Sequence, residues 1–190
     1  ALEVGKDFSK IENLWVKEAG EIIRNPLRPL IKELDSLPFA DREVFDMKAI
    51  IDSEDGALSM LGGRGCPFSC AYCANPAYQS LYQGKGRWVR WRSPENIMAE
   101  IRELLKIYSP AHLSFHDDVF TLDKERVLHF CKLYGEAFDL PFRVNARVET
   151  LDEEIINSLA RAGCEELRIG IEHGDERFRR EVLNRRMTDT

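Results

Sequence analysis

The sequence of 190 residues lacks any apolar run approaching the roughly 18 residues that a membrane-spanning helix needs. It also lacks a basic segment followed by an apolar one at its N-terminus, so we expect no signal peptide and a cytoplasmic protein. Positive charge is not in excess, because the formal net charge is −6. General binding to nucleic acid is therefore excluded, since it requires a basic surface. Internal repeats and low-complexity tracts are absent as well.

The cysteines are few and unevenly placed. There are five in all, an odd number, and three of them lie close together at positions 66, 70 and 73. Neither the odd number nor the close spacing suits a disulfide framework. Cys131 lies on the apolar face of a predicted helix and Cys164 follows a glycine that ends another, so both are predicted to be structural. The pattern indicates metal binding in a reducing compartment.

Strand and helix patterns alternate from residue 56 onward. The predicted strands are 58–61, 112–120, 142–148 and 166–172. One predicted helix starts at residue 93, and three others cover 123–137, 151–162 and 175–186. Such alternation predicts an α/β fold with parallel strands, namely a partial (β/α) TIM-like barrel of about four βα units.

Two segments are predicted. Residues 1–55, interrupted by prolines, form a linker or pre-barrel extension, and residues 56–190 form the N-terminal part of the barrel. Nothing near the C-terminus resembles a finishing strand, so we expect a fragment of a longer protein. We also expect the isolated chain to self-associate, because its fourth strand would keep an unpaired edge.

The segment 65–73 carries the chemistry, with cysteines spaced C-x3-C-x2-C. Three thiolates on one loop can hold three irons of a [4Fe–4S] cluster and leave the fourth iron open to another ligand. A loop directly after the first strand lies at the carboxyl face of the sheet, where βα barrels carry their active sites. The alternative is a zinc site in which His112 or His116 is the fourth ligand.

This motif resembles that of the radical S-adenosylmethionine (SAM) enzymes. Cys66, Cys70 and Cys73 match the cluster ligands of that family, and Tyr72 fills its aromatic position. The resemblance covers roughly residues 56–190. It implies that the open iron binds SAM and that one electron cleaves the S–C5′ bond to a 5′-deoxyadenosyl radical. It also implies a small-molecule substrate and an electron donor such as flavodoxin or ferredoxin.

The resemblance extends to the ends of the other strands. Asp117 or Asp118 would pair with the SAM ammonium, although the family often has Gly-Gly-Glu there. Arg147 would bind the SAM carboxylate or, alternatively, form a salt bridge with Glu149 or Glu172. Glu172 would accept hydrogen bonds from the ribose or another SAM group. No catalytic residue is singled out.

The five arginines at positions 177, 179, 180, 185 and 186 lie on a predicted helix together with Glu176 and Glu181. This pattern is typical of a solvated helix face held by salt bridges, and no functional role is assigned to it.

Several segments resemble one branch of the radical SAM family, in which a cobalamin-binding domain precedes the barrel. They are residues 25–38, 62–68, 89–95 and 170–172. The branch methylates carbon or phosphorus, or catalyses cyclisations and rearrangements. We expect cobalamin in the full-length parent but not bound by this chain alone. The alternatives are a methylthiotransferase-type radical SAM enzyme and a non-enzymatic zinc or iron–sulfur module.

Overall fold

The computed structural model describes residues 7–189. Residues 1–6 and Thr190, the outer ends of the two predicted segments, lie outside the described residues. The helices and strands in chain order are β1 (Trp15–Glu18), β2 (Glu21–Arg24), α1 (Met47–Ser53), β3 (Ala57–Met60), β4 (Gly63–Arg64), α2 (Asn75–Leu81), β5 (Arg90–Trp91), α3 (Pro94–Leu104), β6 (His112–Phe115), α4 (Lys124–Ala137), β7 (Phe142–Ala146), α5 (Glu153–Arg161), β8 (Cys164–Ile169) and α6 (Glu176–Glu181).

A four-stranded parallel sheet forms the centre of the fold. Its strand order is β3-β6-β7-β8, with α3, α4 and α5 as the connections between successive strands. The chain therefore repeats the strand–helix unit that the sequence predicts. The prediction of an α/β fold built as a partial barrel of parallel strands is confirmed.

Each connecting helix begins at a side chain that caps its first turn. Just before α3, Ser93 Oγ accepts a hydrogen bond of 3.1 Å from the backbone N–H of Asn96. Asp123 and Asp152 do the same for α4 and α5, at 3.0 and 2.8 Å. Such caps satisfy backbone donors that the helix itself leaves free, and they fix where each helix starts.

The core lies between the sheet and these helices. Residues on the outward face of the strands, such as Leu58, Phe115 and Val144, are fully buried. Phe115 and four further aromatic rings form one cluster, in which contacting rings have centroids 4.7–6.2 Å apart. The four further rings are Phe120, Phe130, Tyr134 and Phe142. Edge-to-face aromatic contacts of this kind add to the free energy gained by burial.

The inward face of the sheet is polar. Its side chains include Ser59, Ser114, Asn145 and Arg168, and Arg168 Nη1 donates to Ser114 Oγ at 3.2 Å. Because side chains alternate between the two faces of a strand, the same segments supply both the core and this polar wall. The interior of a closed βα barrel is ordinarily filled with branched apolar residues, so the polar wall indicates a binding surface.

Four predicted elements end two or more residues too late. The second strand ends at Phe115 rather than at residue 120, and the third at Ala146 rather than at 148. The fourth strand ends at Ile169 rather than at 172, and the last helix at Glu181 rather than at 186. After β8 the Gly170 carbonyl accepts from Arg185 instead of a neighbouring strand, and Glu172 has a φ of +69°. A left-handed residue cannot continue a strand, so the ladder stops before it.

The N-terminal extension contains structure that the sequence analysis did not predict. Strands β1 and β2 pair as an antiparallel hairpin, and α1 precedes the sheet. Arg42 ties the extension to the first sheet strand, because its Nη2 donates to the Ser59 carbonyl at 2.8 Å. The boundary between residues 55 and 56 stays a prediction.

Within residues 7–189, β3 and β8 each pair with one neighbour, so each offers one free edge. Unpaired strand edges favour pairing between chains. Self-association of the isolated chain stays a prediction. No helix in the described part is both long and apolar enough to cross a membrane.

The aromatic cluster predicts where the fold is most sensitive. Replacing fully buried Phe130 by alanine should lower the free energy of unfolding by about 3–5 kcal/mol, because it removes a ring from a close-packed core. Ile107→Ala, at an exposed position, should change it by less than about 0.5 kcal/mol. Chemical denaturation of both variants measures these values. Equal losses in the two variants would contradict the assignment of the core.

Candidate functional site

The cysteine loop leaves the carboxyl end of β3 through a short two-stranded ribbon. Strand β4 pairs antiparallel with β5, and Gly65 follows with a φ of +86°. A Cβ at Gly65 would lie 2.6 Å from the Trp88 carbonyl oxygen, so only glycine fits. The indole Nε1 of Trp88 in turn donates to the Cys66 carbonyl at 3.1 Å. This turn sets the direction in which the loop begins.

Cys66, Cys70 and Cys73 line one cavity of about 370 Å³. Cys66 and Cys70 are buried, Cys73 is exposed at the rim, and all three are free thiols. Since β3, β6, β7 and β8 are parallel, the cavity lies where their carboxyl ends meet. That is the face where the sequence analysis expects the site.

Hydrogen-bond donors point at two of the three sulfur atoms. Arg147 Nη1 lies 3.1 Å from Cys70 Sγ. The backbone N–H and side-chain amide of Asn75 lie 3.4 and 3.6 Å from Cys73 Sγ. Such donors stabilise thiolates and tune the potential of clusters bound through them. At Cys66, burial raises the pKa of the thiol, which favours its neutral form until a metal replaces the proton.

The donor set fits an iron–sulfur cluster better than a single ion. In residues 7–189, no three His, Cys, Asp or Glu side chains converge closely enough to hold one metal ion. A cubane distributes its thiolates over separate irons, so its ligands need not meet at one point. His112 lies 4.0 Å from Glu165, and His116 Nε2 lies 3.2 Å from Ser59 Oγ. Neither histidine lines the cysteine cavity, so neither supplies zinc with a fourth ligand.

The two predicted aspartates face in different directions. Asp118 lines the cysteine cavity, and its Oδ1 accepts from the Asn75 amide at 3.1 Å. Asp117 is buried on the opposite side, where its Oδ2 accepts the Gly62 N–H at 2.8 Å. Burial raises the pKa of Asp117 to about 6. Only Asp118 is therefore placed to meet a ligand in the cavity.

Arg147 is buried just after β7 and borders the cavity. Its guanidinium donates to Glu149 at 2.5 and 3.3 Å, and lies 3.8 Å from the centre of the Phe68 ring. The salt bridge expected as an alternative is thus present together with the contact to Cys70. These contacts hold the guanidinium in a defined orientation beside the sulfur atoms.

Glu172 and Tyr72 lie on the same side of the cavity as an arginine that the sequence analysis placed in solvent. Arg185 Nη1 lies 3.1 Å from Tyr72 Oη and 4.0 Å from Glu172 Oε1. Its Nε is buried and has no partner among the described residues. Arg185 therefore belongs to the site.

The prediction of a solvated arginine face is wrong in part. Arg179 and Arg185 are buried, whereas Arg177 pairs with Glu181 in solvent as expected. Arg185 lies beyond the end of α6, so the helical period that the sequence suggested does not apply to it. The sequence analysis also missed Asn75, whose amide contacts Cys73 Sγ. Its position two residues after Cys73 could have indicated this contact.

Comparison with known proteins identifies the family. The model of the Radical SAM superfamily matches residues 60–189. The chain belongs to the radical SAM superfamily, a family of enzymes.

Curated relatives are similar over nearly the whole chain. An uncharacterized methyltransferase of Pyrococcus horikoshii is 32% identical over 94% of this chain and 38% of its own length. The anaerobic magnesium-protoporphyrin IX monomethyl ester cyclase of Synechocystis sp. is 25% identical over 100% of this chain and 37% of its own length. The chain thus spans little more than a third of these relatives.

The fold is that of a solved radical SAM methyltransferase, TsrM of Kitasatospora setae. Its structure with tryptophan and a SAM analogue superposes with a TM-score of 0.72 at 20% identity, over 94% of this chain and 35% of TsrM. A second TsrM structure, with cobalamin and a [4Fe–4S] cluster bound, gives a TM-score of 0.69 at 18% identity, over 94% of this chain and 36% of TsrM. At this identity the likeness shows the fold.

The pKa of Asp117 predicts how stability varies with pH. Because burial raises it from 3.8 to about 6, the folded protein binds the proton more tightly than the unfolded chain does. The contribution of this group to stability is therefore greatest below about pH 4 and is lost as the pH rises to about 6. Asp117→Asn removes the titration, so the unfolding free energy of the variant minus that of the wild type should increase over this window, by up to about 3 kcal/mol.

Denaturant titrations at several pH values measure this difference. The amide introduced by Asp117→Asn would still accept the Gly62 N–H but would bury an unpaired NH₂, which adds an offset that does not depend on pH. Asp139→Asn, at an exposed position, is the control. A constant difference between the Asp117 variant and the wild type would contradict the prediction.

Proposed function

We propose that this chain is the radical-generating part of a SAM-cleaving enzyme, with Cys66, Cys70 and Cys73 as the ligands of its [4Fe–4S] cluster. The observation that carries the proposal is that three free thiols of one loop line a single cavity at the carboxyl ends of parallel strands. When bound, the cluster supplies the electron that cleaves the S–C5′ bond of SAM to methionine and a 5′-deoxyadenosyl radical.

The side chains around the cysteines suit the charges of SAM, which carries an ammonium, a carboxylate and a sulfonium. Asp118 faces the cavity with a carboxylate for the ammonium. Arg185 has a buried, unpartnered Nε and offers a cation for the carboxylate, and Arg147 adds a second positive charge beside it. Glu172 and Tyr72 complete this wall as polar contacts for the nucleoside.

Asp117 is not included in this set, because its carboxylate is committed to the Gly62 backbone. Its part in the reaction is to hold the strand exit from which the cysteine loop starts. The other residues bind and orient SAM and separate it from water, while the bond cleavage depends on the cluster.

We assign the reaction of the full-length parent to the cobalamin-dependent branch, as a methylation or a cyclisation of a small molecule. Support comes from the motifs shared with that branch and from relatives named as methyltransferases and cyclases. TsrM, whose structure contains cobalamin, shares the fold. The chain itself would not bind cobalamin tightly.

The reaction also needs a one-electron donor such as flavodoxin or ferredoxin, and a reducing compartment, for which we propose the cytoplasm. The absence of disulfides among the five cysteines supports such a compartment. Cys73 is exposed, so the rim of the cavity is the side from which a donor protein could approach.

Anaerobic reconstitution with iron and sulfide, followed by EPR of the reduced protein, tests the proposal. We expect a [4Fe–4S]⁺ signal that changes when SAM is added, because SAM would bind the open iron. Cys70→Ala should abolish the signal, while Cys164→Ser, outside the cavity, should keep it. A cluster that ignores SAM, or a protein that binds only zinc, would refute the proposal.

Arg147 provides a second, quantitative prediction. Its guanidinium donates to Cys70 Sγ at 3.1 Å, and positive charge beside a cluster ligand favours the reduced state. Arg147→Met should therefore lower the reduction potential of the reconstituted cluster by on the order of 50 mV. Arg147→Lys keeps the charge and should lower it less. An EPR-monitored redox titration measures the potential, and an unchanged value in the Met variant would falsify the role.

A further inference from the structure

A second cavity, of about 750 Å³, lies between the N-terminal extension and the edge of β3. Its wall is mostly apolar: Leu37, Phe39 and Phe45 come from the extension, and Met60 and Leu61 from the end of β3. A concave, mostly apolar space of this size with a few polar groups is typical of a small-molecule site. Neither the family comparison nor the cysteine site accounts for it.

The charges on its wall are unbalanced toward positive. Arg42, Arg64 and Arg92 line the cavity together with two carboxylates, those of Asp41 and Glu100. Buried Glu100 serves two arginines at once, since its Oε2 lies 2.5 Å from Arg92 Nη1 and its Oε1 lies 3.6 Å from Arg42 Nη2. Because two arginines share one carboxylate, this group of three side chains carries one excess positive charge.

Two arginines on the wall have hydrogen-bonding capacity that the described residues do not use. The Nε of Arg42 is buried and has no hydrogen-bond partner within residues 7–189. A buried donor without a partner is destabilising, so an occupant that accepts from it would be favoured. Arg64 is exposed at the cavity wall and forms no ion pair with a described residue.

The second cavity and the cysteine cavity are lined by neighbouring residues of the same two chain segments, although no residue lines both. Arg64 on its wall precedes Cys66 by two residues, and His116 on its wall precedes Asp118 by two residues. His116 Nε2 also lies 3.2 Å from Ser59 Oγ, which joins the ends of β6 and β3. A molecule in the second cavity would thus lie beside the chain segments that carry the cysteines.

We propose that this cavity binds the substrate and that the substrate is an apolar small molecule carrying one anionic group, a carboxylate or a phosphate. The apolar wall takes the body of the molecule, and Arg42 and Arg64 take the anion. This assignment of substrate class rests on the proposed function, because it makes the occupant the target of the radical.

Two fluorescent probes test the recognition. 1-Pyrenebutyrate and 1-pyrenebutanol share one apolar ring system and differ in a single charge. We expect saturable 1:1 binding with at least about tenfold tighter binding of the butyrate, because a guanidinium that pairs with a carboxylate is otherwise left unpaired. 1-Pyrenylmethyl phosphate then shows whether a phosphate is preferred to a carboxylate.

Variants place the anion in the cavity. Arg42→Gln should reduce the preference for the butyrate to about threefold or less, because it removes the buried charge. Arg64→Gln, at an exposed position that folding does not require, should weaken it by about threefold. Arg28→Gln removes an exposed arginine of the same extension, away from the cavity, and should change nothing. Equal binding of the two probes, or an unchanged preference in both cavity variants, would overturn the assignment.

The link to the reaction has its own readout. In the reduced, cluster-loaded protein, pyrenebutyrate should change the rate of 5′-deoxyadenosine formation from SAM at least about twofold, at the concentrations where it binds. Binding without this effect would show that the cavity is not the substrate site. The triple alanine variant at Cys66, Cys70 and Cys73 should still bind the probe. If the probe binds but no cluster forms, the proposed function is rejected, while the assignment of the cavity as a binding site stands.

Discussion

The geometry of the site depends on how the backbone is held at Gly62, where the chain leaves β3. The Gly62 N–H donates to Asp117 Oδ2 at 2.8 Å, and its carbonyl accepts from Arg126 Nη2 and from the Arg92 N–H, each at 2.9 Å. A Cβ there would lie 2.5 Å from Arg126 Nη2, so any other residue would displace this guanidinium from the clamp. These three partners come from the end of β6, from α4 and from the segment just before α3, and they connect the start of the cysteine loop to the neighbouring strand and the helix layer. Cysteine positions are therefore fixed by buried polar contacts and not by the loop alone.

The parts of the site that were predictable are those encoded by local patterns. The cysteine spacing predicted that the three thiols act together, and they line one cavity. The alternation of strands and helices predicted the face of the sheet on which they lie. The direction of Asp117 was also encoded, although it was not used: Leu113 and Phe115 face the helices, and Asp117 follows them by two residues on the same side. Asp118 faces inward for the same reason.

The role of Arg185 could not be obtained in this way. It is buried through contacts with Tyr72 and the Gly170 carbonyl, which are 113 and 15 residues away along the chain. In sequence it belongs to a run that also contains Arg177, Arg179 and Arg180, and that run predicts exposure. Long-range contacts of this kind carry no periodic signal, so a buried arginine beyond a helix end is read from sequence as part of a solvated run.

An acidic chain needs its cations in particular places to bind an anionic group, and the fold gathers them around the two cavities. Although the net charge is −6, three arginines border the cysteine cavity and three border the adjoining one. Buried guanidinium groups are screened less by salt than surface charges are, so their fields act over the distances that matter in a cavity. The hydrogen bond between Gly62 and Asp117 joins a segment that lines the second cavity to one that reaches the cysteine cavity at Asp118, so a shift there would move both walls. Under the two proposals above, this clamp would set the distance between the radical and its target, which is the quantity that a radical enzyme has to control.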